Sequence, residues 1–217
     1  MGNRVLLTGF EPFGGESVNP ALEAVRILDG RELAGTGFHV VTLQVPTVFG
    51  KSLQVLREAV TRVQPSVVVC VGQAGGRSQI TPERVAINVD DGRIPDNEGQ
   101  QPLDTAIVAT GPAAYFSGLP IKRIVAALRE AGIPAAVSNS AGTYVCNHLF
   151  YGLMHLINTE YPQVRGGFVH IPFLPQQVVD RNEPSLSLDL IVRGLELALQ
   201  VAVQHEDDIA ASGGHEG

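Results

Sequence analysis

Apolar and polar positions follow two alternating patterns along the chain. Short apolar runs closed off by glycine, proline or polar residues predict buried strands at residues 3–10, 38–45, 66–72, 134–138 and 166–172. Apolar residues at helical spacing predict helices at residues 20–28, 48–63, 121–131, 146–160 and 186–203. This alternation indicates βαβ units, so the predicted fold class is α/β, with three layers: a doubly wound, mainly parallel twisted sheet with helices on both faces.

One segment breaks this rhythm. Residues 85–115 include DDGRIPDNEGQQP, which is rich in turn formers, and predict an excursion with short strands near the site. A length of 217 residues suits one domain, which we place at residues 1–210. The remaining residues, 211–217, have no apolar pattern and predict a disordered tail.

The charge balance narrows the range of partners. Lys and Arg number 15 against 22 Asp and Glu, a net charge of −7, and no basic stripe suits a nucleic acid. No apolar run approaches the ~20 residues needed to cross a membrane, so we expect a cytoplasmic protein. In that reducing compartment, we expect Cys70 and Cys146 to form no disulfide.

Several cofactor motifs are incomplete. GFEPFGG has the glycine spacing of a phosphate loop, but Gly15 and Glu16 stand where Lys and Ser/Thr should bind phosphate and magnesium. GQAGGR follows a predicted strand without the GxGxxG spacing, and no Cys or His pair has zinc spacing. We therefore expect neither a cofactor nor a metal.

Cys146 has the most suggestive local setting for chemistry. In SNSAGTYVCNH it follows a predicted strand and a turn of small residues, and it should lie in the first turn of a helix. Unpaired N–H groups and the dipole at a helix N-terminus favour thiolate and can hold an oxyanion, so Cys146 is a candidate nucleophile. The alternative is a buried thiol acting as a small hydrophobe, which is our interpretation of Cys70.

A cysteine nucleophile needs a base, and the base needs an orienting group. His170 ends a predicted strand before Pro172, so it should project at the same sheet edge as Cys146. A purely structural histidine remains the alternative. Glu83, among apolar neighbours, is the natural third member, unless it simply pairs with Arg84.

Four blocks in the chain resemble a known family: LLTGFEPFGGESVNP, GQAGGRSQITPERVAIN, VSNSAGTYVCNH and GFVHIPFLP. They are similar to the pyrrolidone carboxyl peptidases (pyroglutamyl peptidase I), cysteine peptidases that remove N-terminal pyroglutamate. The resemblance implies that Cys146 attacks the carbonyl carbon and forms a thioester, that His170 takes and returns the proton, and that Glu83 fixes the imidazole. It also implies peptide substrates with N-terminal pyroglutamate, and a homotetramer.

A pyroglutamyl group is a flat lactam with one donor and one acceptor, which calls for an apolar, flat-walled pocket. Phe10 and Phe13, on the loop predicted after the first strand, are the expected stacking partners, although two phenylalanines there could instead fill the core. The resemblance suggests that the backbone of Gln73 bonds the lactam.

The resemblance also suggests that Arg93, in DDGRIPDN, assists the Cys146 N–H at the oxyanion. Pairing of Arg93 with Asp90 or Asp91 would remove that role. Two other functions stay open from the residues alone. One is a different enzyme on the same kind of sheet, purine-phosphorylase-like or amidohydrolase-like, and the other is a non-catalytic module with a lactam pocket and a buried Cys146.

Overall fold

The computed structural model describes residues 2–214 and contains a six-stranded sheet and a two-stranded sheet. The strands are β1 (Arg4–Phe10), β2 (Glu32–Leu33), β3 (Phe38–Val45), β4 (Val67–Gln73), β5 (Thr81–Pro82), β6 (Val85–Ile87), β7 (Ala114–Phe116) and β8 (Arg165–Ile171). The helices are α1 (Pro20–Leu28), α2 (Lys51–Val63), α3 (Ile121–Glu130), α4 (Val145–Glu160) and α5 (Leu188–Gln204), with a 3-10 turn at Pro175–Gln177.

The large sheet is parallel in its centre and antiparallel at its edges. Its strand order is β2-β3-β1-β4-β8-β5, in which β1 pairs in parallel with β3 and β4, and β4 pairs in parallel with β8. The short strands β2 and β5 run antiparallel at the two edges. The prediction of a mainly parallel sheet is confirmed, and the carboxyl ends of β1, β4 and β8 meet at one edge, where such folds bind ligands.

Two layers of helices cover this sheet, as predicted. Alternate residues of β4 face opposite sides: Val69 and Val71 pack with α1, α3 and α5, whereas Val68 and Cys70 pack with α2 and α4. Burial on both faces explains why these strands read as continuous apolar runs rather than alternating ones. The same alternation places Phe168 and His170 of β8 on the α4 face.

Most element boundaries match the sequence pattern. Helix α1 has the predicted bounds, because the Asn19 side chain caps its first turn by accepting from Ala21 N at 3.0 Å. Helix α2 begins at Lys51 instead of residue 48, because Gly50 before it has a φ of 70°, outside the helical region.

The predicted strand at residues 134–138 is an interrupted one. These residues run beside residues 80–84 and exchange backbone hydrogen bonds of 2.8–3.2 Å with them, but they form only isolated bridges, Ile80–Ala135 and Glu83–Ser138. Pro134 supplies no N–H donor, and Pro82 supplies none on the opposing segment, so a continuous ladder cannot form.

The excursion at residues 85–115 contains the short antiparallel pair β6–β7, as expected. Residues 211–214 are irregular, and residues 215–217 of the predicted tail lie outside the described residues. Within residues 2–214, no helix is long and apolar enough to cross a membrane. The single domain at 1–210, the disordered tail, the cytoplasmic location and the homotetramer stay predictions.

Candidate active site

Cys146 is the second residue of α4, where a helix leaves its N–H groups unpaired. Tyr144 precedes the helix as N-cap residue but its side chain makes no capping hydrogen bond, so the first turn is not closed by a side-chain acceptor. Cys146 itself is half-buried. The backbone N–H groups of this turn are available for a developing oxyanion.

A glycine makes room for the sulfur on the sheet. A Cβ built on Gly72 of β4 would lie 3.0 Å from Cys146 Sγ and 2.8 Å from Phe168 Cζ, so the sulfur rests almost directly over the strand. Gly72 pairs with His170 across the β4–β8 ladder. Since paired strands lie only ~4.8 Å apart, the sulfur and the imidazole occupy neighbouring positions on one face of the sheet.

His170 is held by a carboxylate. Its Nδ1 lies 2.7 Å from Oε1 of Glu83, and both residues are buried, with exposures of 4% and 0%. The Phe168 ring packs against the imidazole with centroids 4.8 Å apart, which limits its rotation. When Glu83 is ionised, Nδ1 must carry the hydrogen, which leaves Nε2 as an acceptor for a thiol proton.

The environment of Glu83 keeps it ionised despite its burial. Burial alone raises the pKa of this carboxyl, but the hydrogen bond from His170 and the charges of His170 and Arg77 outweigh it and lower the pKa from its ordinary value. The arginine beside Glu83 is Arg77, whose Nη1 donates to Oε1 at 2.7 Å. Arg84, the neighbour considered from the sequence, instead donates to Asn139 Oδ1 at 2.7 Å.

Burial at Cys146 opposes the thiolate that the helix N-terminus favours. Burial, together with the negative charge of Glu83, raises the pKa of this thiol to about 12, and the positive charge of Arg77 offsets only part of the rise. The first turn of a helix favours thiolate by only ~0.3–2 kcal/mol, less than removing the sulfur from water costs. These effects favour the thiol form of Cys146 over the thiolate.

The two expected pocket phenylalanines differ in placement. Phe10 is the last residue of β1, not a loop residue, and at 2% exposure it packs in the core with its ring centroid 6.4 Å from that of Phe168. Phe13 lies on the following loop and packs against Tyr144 at 6.1 Å, next to the start of α4. Both rings therefore lie on the Cys146 side of the sheet, but only Phe13 offers an accessible face.

Gln73 ends β4 beside Gly72. The β1–β4 ladder stops at Gly9–Val71, so on that side the Gln73 backbone lies beyond the paired region. Its side-chain Oε1 accepts from Gln177 Nε2 at 2.9 Å, which ties it to the 3-10 turn. This placement leaves the main chain of Gln73 open at the sheet edge that Cys146 faces.

Arg93 is exposed and close to the start of α4. Burial raises the pKa of Tyr144 to about 12, and the Arg93 charge opposes that rise, which places the guanidinium within electrostatic reach of the residue two before Cys146. Within residues 2–214, Arg93 forms no ion pair with Asp90 or Asp91. Asp90 is instead 2.8 Å from His148 Nδ1.

Two buried contacts near the site were not predicted from the sequence. The side chain of Asn147, next to Cys146, accepts a hydrogen bond from Ile87 N at 3.0 Å and donates to Ile87 O and Val89 O. These hydrogen bonds attach the segment 85–115 to α4. His148 Nε2 accepts from Gly50 N at 2.9 Å. The only sequence signal was the adjacency of both residues to Cys146.

No cluster of three or more His, Cys, Asp or Glu side chains in the described part of the chain could hold a metal ion. A cavity of about 680 Å³ is lined mostly by residues of α3 and of 209–214, and Cys146 is not among its lining residues. A thiol, an imidazole and a carboxylate placed in this order are the groups that acyl transfer through a covalent intermediate requires.

Comparison with known proteins gives the same family that the sequence blocks resemble. The family model described as pyroglutamyl peptidase matches residues 3–205. The pyrrolidone-carboxylate peptidase of Bacillus licheniformis is 59% identical over 214 residues, covering 99% of both chains.

Solved structures agree. The crystal structure of pyroglutamyl peptidase I from Bacillus amyloliquefaciens has a TM-score of 0.95 and 59% identity, covering 98% of this chain and 100% of that chain. The pyrrolidone carboxyl peptidase from Thermococcus litoralis has a TM-score of 0.91 and 36% identity, covering 96% of this chain and 99% of that one. This likeness in sequence and in fold extends over nearly the whole chain, which therefore belongs to the pyroglutamyl peptidase family.

Proposed function

We propose that this chain is a cysteine exopeptidase that hydrolyses the peptide bond after an N-terminal pyroglutamyl residue, with Cys146, His170 and Glu83 as its catalytic triad. One observation carries the proposal: Cys146 Sγ rests over Gly72, the strand partner of His170, while His170 Nδ1 is 2.7 Å from Glu83 Oε1. Family membership supports the peptidase over the phosphorylase, amidohydrolase and binding-module alternatives.

Acylation begins with a thiol. As Sγ attacks the pyroglutamyl carbonyl carbon, the C–S bond forms and the thiol proton passes to Nε2 of His170. Glu83 stabilises the resulting imidazolium through Nδ1–H. The carbonyl oxygen takes the negative charge, which the Cys146 N–H at the helix N-terminus and the Arg93 guanidinium stabilise.

Collapse of this intermediate breaks the C–N bond. His170 returns its proton to the leaving amine, which departs as the shortened peptide and leaves a pyroglutamyl thioester on Cys146. Water then attacks the thioester while His170 accepts its proton, and the second collapse expels pyroglutamate and restores the thiol. The proton that leaves with the amine is replaced by one from water, so the cycle balances without a cofactor.

The pocket accounts for the choice of substrate. Phe13 packs on the lactam, and the main chain at Gln73 pairs with the lactam amide. A prolyl group fills the same space but makes no lactam hydrogen bonds, so it leaves these partners unpaired. We expect prolyl anilides to be turned over at least ~100-fold more slowly than pyroglutamyl anilides.

The decisive experiment measures release of a fluorogenic amine from a pyroglutamyl conjugate. Cys146→Ser should lose at least ~10³-fold in kcat/KM, while Cys70→Ala, the matched control at the other cysteine, should keep near wild-type activity. Mass spectrometry of a rapidly quenched wild-type reaction should detect the acyl adduct on the peptide that contains Cys146. Full activity in Cys146→Ser would remove the proposed nucleophile.

A further inference from the structure

A single oxygen of Glu83 accepts two donors, of which one, Arg77, carries a permanent charge. His170 Nδ1 and Arg77 Nη1 both lie 2.7 Å from Oε1. The Glu83 side chain has 0% exposure, whereas that of Arg77 is 29% exposed, so the arginine reaches the buried carboxylate from the surface. The carboxylate charge that would stabilise an imidazolium is therefore divided between the imidazole and the guanidinium.

The same guanidinium is anchored to the approach of the nucleophile helix. Its Nη2 donates to the carbonyl oxygen of Ser140 at 3.1 Å, and its Nη1 also donates to the Thr81 hydroxyl. Ser140 lies in the SNSAGTY segment that leads into α4. Arg77 thus ties Glu83 to the chain entering the helix of Cys146, a set of contacts that needs the rigid fork of an arginine.

The charge sharing has a direct chemical consequence. A carboxylate that faces only a histidine favours the protonated imidazole, which is inactive as a base. A permanent cation on the same oxygen opposes that protonation. The positive charge of Arg77 also lowers the pKa of the Cys146 thiol against the larger effect of burial, so one residue favours both reactive forms.

The other groups facing this centre do not supply a second cation. Cys146 approaches from α4, and the neutral thiol of Cys70 lies below it in β4. The Ser138 hydroxyl approaches Glu83 from residues 134–138. Arg84, adjacent in sequence, directs its guanidinium to Asn139 Oδ1 and the Gly213 carbonyl oxygen.

We propose that Arg77 is a positioning residue of this reaction, which shares the Glu83 carboxylate with His170 and fixes Glu83 to the segment preceding Cys146. The inference rests on the proposed triad, through which alone Arg77 acts. It assigns Arg77 no contact with the substrate, so its loss should change kcat and the pH dependence more than KM.

The test compares Arg77→Gln, Arg77→Lys and the matched control Arg84→Gln, which removes the charge of a nearby arginine that makes no side-chain contact with Glu83. For Arg77→Gln we expect the acid limb of the kcat/KM profile to move up by roughly one pH unit. We also expect kcat to fall roughly tenfold, as for loss of an orienting contact, with little change in KM. Arg77→Lys should keep the acid limb near the wild-type position but not recover kcat.

A second readout is independent of turnover. The rate of Cys146 alkylation by iodoacetamide at pH 8 should fall severalfold in Arg77→Gln and stay unchanged in Arg84→Gln. Thermal melts of all variants show how much of each protein is folded. Partial unfolding lowers activity equally along the acid limb, so it does not move the pH at which activity falls.

An acid limb that stays in place in Arg77→Gln, or that moves equally in Arg84→Gln, would overturn the inference and leave the proposed function standing. Failure of the triad itself has a different signature, namely activity that survives Cys146→Ser.

Discussion

Gly72→Ala is the sharpest structural test of where the nucleophile sits. The new methyl carbon would lie 2.8 Å from Phe168 Cζ, 3.0 Å from Phe168 Cε1 and 3.0 Å from Cys146 Sγ. Gly72 has no positive φ, so alanine suits the backbone and the whole effect arises from these side-chain contacts. Ordinary van der Waals contact requires ~3.5–4.0 Å, so the neighbours must retreat by about 0.5–1 Å.

The sulfur must make most of that retreat. The Phe168 ring is fully buried and packed between Phe10 and Phe150, with centroids 6.4 and 5.9 Å away. Cys146 is half-buried and can rotate toward the open side of the site. Overpacking of this kind costs about 1–3 kcal/mol, whereas a reactive atom misplaced by ~1 Å loses about 100-fold in rate.

We therefore expect Gly72→Ala to lose at least ~100-fold in kcat/KM while its Tm falls by only about 2–12 °C. The measurements are fluorogenic release of amine and a thermal melt. Gly167→Ala is the matched control: its methyl lies on the opposite face of β8, 2.7 Å from Leu119 Cδ1, and should cost similar stability without the specific loss of rate.

If Gly72→Ala keeps more than a third of the wild-type activity, the sulfur does not depend on the space over this strand, and the geometry argued for the attack is wrong. A loss of rate in Gly167→Ala that matches the one in Gly72→Ala would point the same way, because it would trace the effect to general destabilisation.

Three further predictions concern the groups around the sulfur. Glu83→Gln should lower kcat by roughly 10³–10⁴-fold at little cost to KM, because an amide no longer fixes the imidazole tautomer; a loss below tenfold would contradict this role. Burial raises the pKa of Cys70 from 9.0 to about 12, so the folded chain binds the thiol proton more tightly than the unfolded chain. The stability contributed by this proton is therefore present below pH 9 and is lost as the pH rises toward about 12. In urea titrations Cys70→Ala should accordingly lose about 1 kcal/mol at pH 7 and show a flatter alkaline decline, and an unchanged decline would exclude Cys70 as its cause. Asn147→Ala leaves Ile87 N and Val89 O without their side-chain partner and should lower the free energy of unfolding by about 2–3 kcal/mol. A stability within 0.5 kcal/mol of wild type, about the scatter of surface substitutions, would mean that water replaces these hydrogen bonds.

The layered fold followed from local pattern because burial on both faces leaves a clear trace in sequence. The central strands β1, β4 and β8 are nearly continuous apolar runs, and each helix between them keeps an apolar stripe. The predicted boundaries are wrong where backbone conformation, rather than the apolar pattern, determines where an element starts or is interrupted. Gly50 delays the start of α2 through its positive φ, and Pro82, which has no N–H to donate, interrupts the pairing of the strand expected at residues 134–138.

The triad was predictable to different depths. Cys146 and His170 could be placed at one sheet edge, since both follow from strand ends and a helix start. Glu83 depended on the resemblance, because no periodicity reveals which buried carboxylate meets a given histidine. Arg77 was visible only as part of a failed dinucleotide motif; its contact with Glu83 crosses a bend between β4 and β5 whose shape no spacing rule specifies.

The protonation state of Cys146 marks the limit of local inference most clearly. Sequence places the residue at a helix N-terminus, which favours thiolate, and that placement is correct. The opposing effect comes from residues distant in sequence: Gly72 brings the strand beneath the sulfur, and Glu83 adds a negative charge nearby. Because burial raises the pKa of this thiol, we expect the proposed base, His170, to take the proton during attack rather than to hold a preformed ion pair. Iodoacetamide alkylation of Cys146 should then rise about tenfold per pH unit up to pH 9, whereas a plateau reached below pH 7 would require the thiolate–imidazolium pair and reverse this conclusion.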